Sequence, residues 1–300
     1  MIKFSIAGYY RHYKSNIALL TIYHTHRNWF YNNIEIDSVY GCLPGMLWSG
    51  CRIIPVNADC NPYNNEIYRM RDEYYSLGVT LRHTFQNCAL TPEMFQDYRS
   101  LQWTAACEKE GNAIILTDNN LKRFLQEHFP KYSYIWSTSL CLKDINRINQ
   151  LSKDDMVVLD YSLNTSPKLQ EILHPHNIEI MLSEDCQDNC PLRKQHYELE
   201  SRIIINNESS RDEILECLMK KTQKNASTFY QKLHQNQATL TNEQILKIYD
   251  DYGINHFKIA GRDYTELNYI ESLVYYLVKP EYRDHLRQLL LQEIYEWRYE

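Results

Sequence analysis

Short apolar runs alternate with longer amphipathic stretches along almost the whole chain. The runs are IEIDSVY (34–40), VTLRHTF (79–85), AIILTD (113–118), YIWSTS (134–139), MVVLDYS (156–162), IEIML (178–182), RIIIN (202–206) and HFKIAG (256–261). Between them lie segments with helical spacing, such as NEIYRMRDEYYSL (65–77), PEMFQDYRSLQWTAACEKE (92–110) and NNLKRFLQEHF (119–129). Strands alternating with helices predict βαβ units and a parallel sheet. Eight such strands predict a closed (β/α)8 TIM-type barrel. A doubly wound open sheet is the alternative, but it would carry a glycine-rich phosphate turn early, and neither GxGxxG nor GxxxxGK[ST] occurs. The reading is one domain. Residues 1–33 form an N-terminal extension, the barrel strands span 34–262, a helical insertion occupies 211–253 between strands seven and eight, and residues 263–300 form C-terminal helices.

Composition narrows the class. Of 300 residues, 44% are hydrophobic and 23% charged, ordinary values for a globular chain. A net charge of −6 removes a global electrostatic case for nucleic-acid binding. No apolar stretch approaches a membrane span, and the N-terminal run is too short for a signal peptide, so a cytoplasmic protein with no membrane partner is expected. In a reducing compartment the nine cysteines are better read as metal-binding or catalytic than as disulfides.

In a barrel of this kind, chemistry sits at the C-terminal ends of the strands. Cys42, Cys51, Cys88, Cys141, Cys186 and Cys190 all fall at or just past predicted strand ends, whereas Cys107 and Cys217 fall inside helical patterns and read as core. The stretch SEDCQDNCPLRKQHY (183–197) concentrates this signal. Pro191 is placed to start a helix, whose dipole would favour a thiolate on Cys190. Arg193, His196 and Tyr197 then share one helical face. The C-x3-C spacing is not the C-x2-C of zinc ribbons, and it suits a turn presenting two thiolates to one iron–sulfur cluster. Cys141 is the candidate third ligand and Cys42 the fourth, with Cys51 or Cys88 as alternatives. The same thiols could instead hold zinc, form a redox-active dithiol or stand free.

Two stretches resemble the collagenase-like peptidase family, a barrel family of unassigned mechanism that includes iron–sulfur proteins. They are the Cys186–Cys190 pair and FKIAGR, Phe257 to Arg262; Cys42 is also placed like an early cluster cysteine of one ubiquinone-biosynthesis branch. The chain departs from that branch in having no cysteine within 169–182, shortly before the pair. The resemblance implies a 4Fe-4S cluster and oxygen-independent hydroxylation of a quinone precursor or an RNA base. No Ser-His-Asp order, HExxH or Cys-His signature supports proteolysis.

Individual candidates carry competing structural readings. Arg82 and His83 are neighbours on one strand, so only one faces the barrel interior. An inward Arg82 would bind a substrate anion or pair with Asp118 or Asp160. Asp160 is a candidate proton acceptor or a backbone-bound structural acid, and His196 a ligand or proton carrier or simply a packed helix residue. Lys258 and Arg262 are candidate anion binders. Trp48 is a candidate stacking platform for a planar substrate or part of a self-packed loop. The resulting expectation is an iron–sulfur redox enzyme acting on a small molecule or nucleobase, with an electron donor or partner protein meeting 211–253. A zinc hydrolase and a non-catalytic binding module with free thiols are the alternatives.

Overall fold

The computed structural model describes residues 1–50, 65–184, 186, 190–206, 229–235, 238–262 and 264–296. Eight parallel strands close into a barrel in chain order. They are β1 (Ile2–Ala7), β2 (Ile34–Gly41), β3 (Thr80–Phe85), β4 (Ala113–Leu116), β5 (Ser133–Trp136), β6 (Met156–Val158), β7 (Ile178–Met181) and β8 (His256–Lys258). Packed outside them are α1 (Tyr13–Thr25), α2 (Asn65–Ser76), α3 (Tyr98–Ala106), α4 (Asn119–His128) and α5 (Ile145–Ser152), then α6 (Arg193–Asn206), α7 (Phe229–Gln235), α8 (Asn242–Tyr252), α9 (Glu266–Leu277) and α10 (Arg283–Glu296). The (β/α)8 expectation therefore holds.

The sequence explains the pieces. Covered on both faces, β4 is a continuous apolar run, AIIL, with every residue buried. The helices begin where side chains satisfy their first free amides: Asp118 accepts from Leu121 N at the start of α4, and Thr241 with Gln244 forms a capping box on α8.

Two expected boundaries are corrected. The first 33 residues are not an extension, because Ile2–Ala7 is itself a barrel strand, paired with β2 on one side and β8 on the other. RIIIN (202–206) is not a strand; it is the last turn and a half of α6. Its three isoleucines favour extended backbone, yet the helix begun at Arg193 runs through them and buries Ile203, so packing overrides local propensity. The segment between β7 and β8 is accordingly longer than expected, spanning 182–255, and its described residues include α6, α7 and α8. Residues 207–228, which include much of the expected partner surface, lie outside the described residues, as do Cys51, Cys60 and Cys217.

Candidate active site

The barrel interior is polar on one side. Ser38, Ser5, Lys258 and Met181 are successive register partners across β2, β1, β8 and β7. Beneath them sits a buried ionic group. Glu179 Oε1 accepts from Arg82 Nη1 at 2.6 Å and from Ser5 Oγ at 2.6 Å, and Arg82 Nη2 reaches Asp37 Oδ2 at 3.1 Å. These contacts hold the Glu179 carboxyl below its usual range against the opposing effect of burial. Glu179 Oε2 has no hydrogen-bond partner among the described residues and lies 3.8 Å from Lys258 Nζ.

Lys258 is buried, with its ammonium 3.9 Å from the centre of the Tyr40 ring. Burial lowers its pKa to about 7, with Glu179 and Glu184 pulling it up and Arg262 and Arg82 pushing it down. The nearest carboxylate does not prevent this. Its Oε1 is already engaged by Arg82 and Ser5, and 3.8 Å is beyond hydrogen-bond length. Lys258 is thus poised between charged and neutral forms near neutrality.

Above this layer, at the C-terminal mouth, a cavity of about 40 Å3 is lined by Lys258, Arg262, Gln86, Ser137, Glu184 and Tyr197, among others. That is room for about three waters. Arg262 donates to Thr84 Oγ1 at 2.9 Å and Gln86 Oε1 at 3.0 Å, both neutral acceptors. Among the described residues no carboxylate lies within ion-pair distance of it. Gln86 in turn donates to Ser137 Oγ. Gly261 makes this delivery feasible, because a Cβ there would lie 2.6 Å from Tyr269 Cδ2.

Beside the mouth lies a further buried cation, Arg193, at the start of α6. It donates to Asp160 Oδ2 at 2.8 Å, to Thr138 O at 2.7 Å and to Thr138 Oγ1 at 3.1 Å. Its guanidinium also lies 3.8 Å from the centre of the Tyr161 ring. The thiols surround this cation unevenly. Cys141, in a left-handed turn with φ of 52°, and Cys186 each have Arg193 among their charge neighbours, and Cys186 also has Cys190. Burial pushes the Cys186 thiol up to about 12. Cys42 is buried elsewhere, beside Arg262, Thr84 and Ser49. Among the described residues no three His, Cys, Asp or Glu side chains gather closely enough to hold a metal ion. The described geometry supplies a neighbouring pair, Cys186 and Cys190, and does not fit a three- or four-thiolate site.

Several candidate residues take structural places. Trp48 is buried in the core, its indole donating to Met94 O at 2.9 Å and its ring packing against Phe85 and Phe124, so it offers no stacking face to a substrate. Arg82 faces inward but pairs with Glu179 and Asp37, not with Asp118 or Asp160, and it does not line the mouth cavity. Its neighbour His83 points outward, between Tyr9 and Tyr132. Asp160 accepts from Arg193 and from Ser162 N and Oγ, which uses both carboxylate oxygens structurally. His196 pairs with Glu200 one helical turn on and does not line the cavity. Lys258 and Arg262 do converge there. Glu179, Tyr40 and Gln86 were not singled out by sequence reasoning. The signal for Glu179 was present, as one acid in the otherwise apolar run IEIML.

No protein-family model and no curated relative matches the chain. Among solved structures, the U32 peptidase Mk0906 is similar, with 11% identity, a TM-score of 0.54, and coverage of 88% of this chain and 95% of that one. The long-chain alkane monooxygenase LadA is similar more loosely, with 10% identity, a TM-score of 0.40, and coverage of 97% and 95%. The first likeness is to the collagenase-like (U32) peptidases toward which FKIAGR and the cysteine pair pointed, and at this identity it establishes the shared barrel fold.

Proposed function

We propose that this chain is an enzyme whose barrel mouth binds a small anion-bearing molecule, with Arg262 taking the anion and Lys258 exchanging a proton with the bound substrate. The observation that carries this reading is the convergence of Arg262 and Lys258 on one cavity, with only neutral acceptors bonded to Arg262 among the described residues. A guanidinium presents a planar fork suited to a carboxylate or phosphate. Attraction between charges strengthens where protein excludes water, as around the buried Lys258. An amine with a pKa near 7 exists in both protonation states at neutral pH, which general acid–base catalysis requires. A cavity of about 40 Å3 accommodates a substrate of a few heavy atoms. Calorimetric titration with oxalate, phosphate and neutral analogues tests the reading. Binding of the anions, and its loss in Arg262→Met, is the expected result; no binding of any small anion would refute it.

A second reading rests on the Cys186–Cys190 neighbourhood. It is an iron–sulfur centre supporting oxygen-independent hydroxylation, or zinc bound by the same pair. It has less support, because the described thiols form a pair and Cys42 is occupied elsewhere. Anaerobic purification followed by a visible spectrum and iron, sulfide and zinc analysis separates these cases. Broad cluster absorption lost in Cys186→Ala would establish the centre. A colourless, metal-free protein after anaerobic reconstitution would remove it.

A further inference from the structure

We propose that Lys258 captures a small carbonyl acid, an aldehyde or ketone bearing a carboxylate, as a Schiff base in the mouth cavity. This rests on the anion-site reading above and names its substrate class. Three placements support it. Lys258 Nζ lines the same cavity as Arg262, so a carboxylate held by Arg262 would set an adjacent carbonyl carbon before the amine. Glu179 Oε2, 3.8 Å from Nζ and without a hydrogen-bond partner among the described residues, is a buried base beside the amine. The Tyr40 ring lies 3.9 Å from Nζ on β2 and restricts its direction. The cavity volume suits a molecule of a few heavy atoms.

The step balances without an oxidant or reductant. The neutral amine attacks the carbonyl carbon and a C–N bond forms; Glu179 Oε2 takes one proton from nitrogen and passes it to the former carbonyl oxygen, giving the carbinolamine. The second nitrogen proton follows by the same carboxylate, the C–O bond breaks, the oxygen leaves as water, and the neutral imine remains. The supply of neutral amine at neutral pH follows from burial, with Arg262 and Arg82 reinforcing it and Glu179 and Glu184 opposing it. Of the remaining charged groups packed near this layer, Asp37 and His256 lie beyond Arg82 and Glu179. Other described lysines differ. Lys122 is paired with Asp155, and Lys247, exposed and paired with Asp251, has its pKa raised.

The full chain is incubated at pH 7 with glyoxylate and cyanoborohydride, and the carboxymethylated lysines are mapped by peptide mass spectrometry. Lys258 should be labelled at least about tenfold faster than surface lysines, as its larger neutral fraction requires. Acetaldehyde, which lacks the carboxylate, should lose that preference, as should glyoxylate with Arg262→Met. Oxalate binding is measured by calorimetry on the same preparation. Oxalate binding with Lys258 labelled no faster than surface lysines overturns the Schiff base and leaves the anion site standing. Absence of both oxalate binding and selective labelling overturns both.

Discussion

Three cations around the barrel mouth, buried Arg193 and Lys258 and partly buried Arg262, are put to opposite uses and separate architecture from chemistry in this molecule. Arg193 has its guanidinium matched by Asp160, Thr138 and the Tyr161 ring. Among the described residues Arg262 meets only neutral acceptors, and Lys258 meets a carboxylate at 3.8 Å already shared with Arg82. A cation with a full set of partners fixes the start of α6 against the ends of β5 and β6. A cation with an incomplete set, facing a cavity, leaves its charge for a ligand to meet. Burial alone does not mark a site; burial together with an incomplete partner set does.

The comparison can be broken at several points. Arg193→Ala strands Asp160 in the interior and should cost about 3–5 kcal/mol, read by urea denaturation. A cost under about 1 kcal/mol would show that the Arg193 cluster is not structural. The next effect is one of pH. Burial lowers the His83 pKa to about 3, so His83 is neutral in the fold and protonates in the unfolded chain below about 6.5. Its contribution is therefore present above that value and lost as pH falls toward 3, at up to about 1.4 kcal/mol per pH unit. His83→Gln should flatten the stability profile between about pH 6 and pH 4, where one group's linkage falls. An unchanged profile would place the acid sensitivity elsewhere.

Arg262→Met should weaken oxalate binding by about tenfold to a hundredfold, the worth of a charge-assisted bidentate contact, while changing stability by less than about 1 kcal/mol. A large loss of stability instead would make Arg262 a second Arg193. The smallest effect belongs to His196→Ala, whose largely buried pair with Glu200, one helical turn away, is worth less than about 1 kcal/mol. That change should leave anion binding as it was, and a loss of binding would bring His196 back into the site.

Much of this was legible beforehand, and the exceptions have physical causes. Seven barrel strands could be read from the sequence because AIIL and its counterparts are apolar, buried runs. IKFSIA falls in the stretch assigned to an N-terminal extension and is instead β1, and RIIIN reads as a strand because β-branched runs look extended until a helix is already under way. Lys258 and Arg262 were found because they stand at the end of a strand. Of the two readings of Trp48, stacking platform and self-packed loop, the packed one matches the structure, since this loop residue folds back into the core with its indole bonded to Met94 O. The cysteines cluster at strand ends in sequence, but position along a strand does not fix direction around the barrel, so Cys42 faces Arg262 while Cys186 faces Tyr161. Asp160 and Glu179 show the same limit, since only the structure reveals which acid has an unmatched oxygen.

The most direct test of the mouth as an anion site is the NMR titration of the Lys258 side chain, its signal assigned with Lys258→Arg, in the absence and presence of oxalate. A midpoint at about 7, moving upward when oxalate binds beside Arg262, is the expected result. A midpoint in the ordinary lysine range of about 10, unmoved by oxalate, would contradict it.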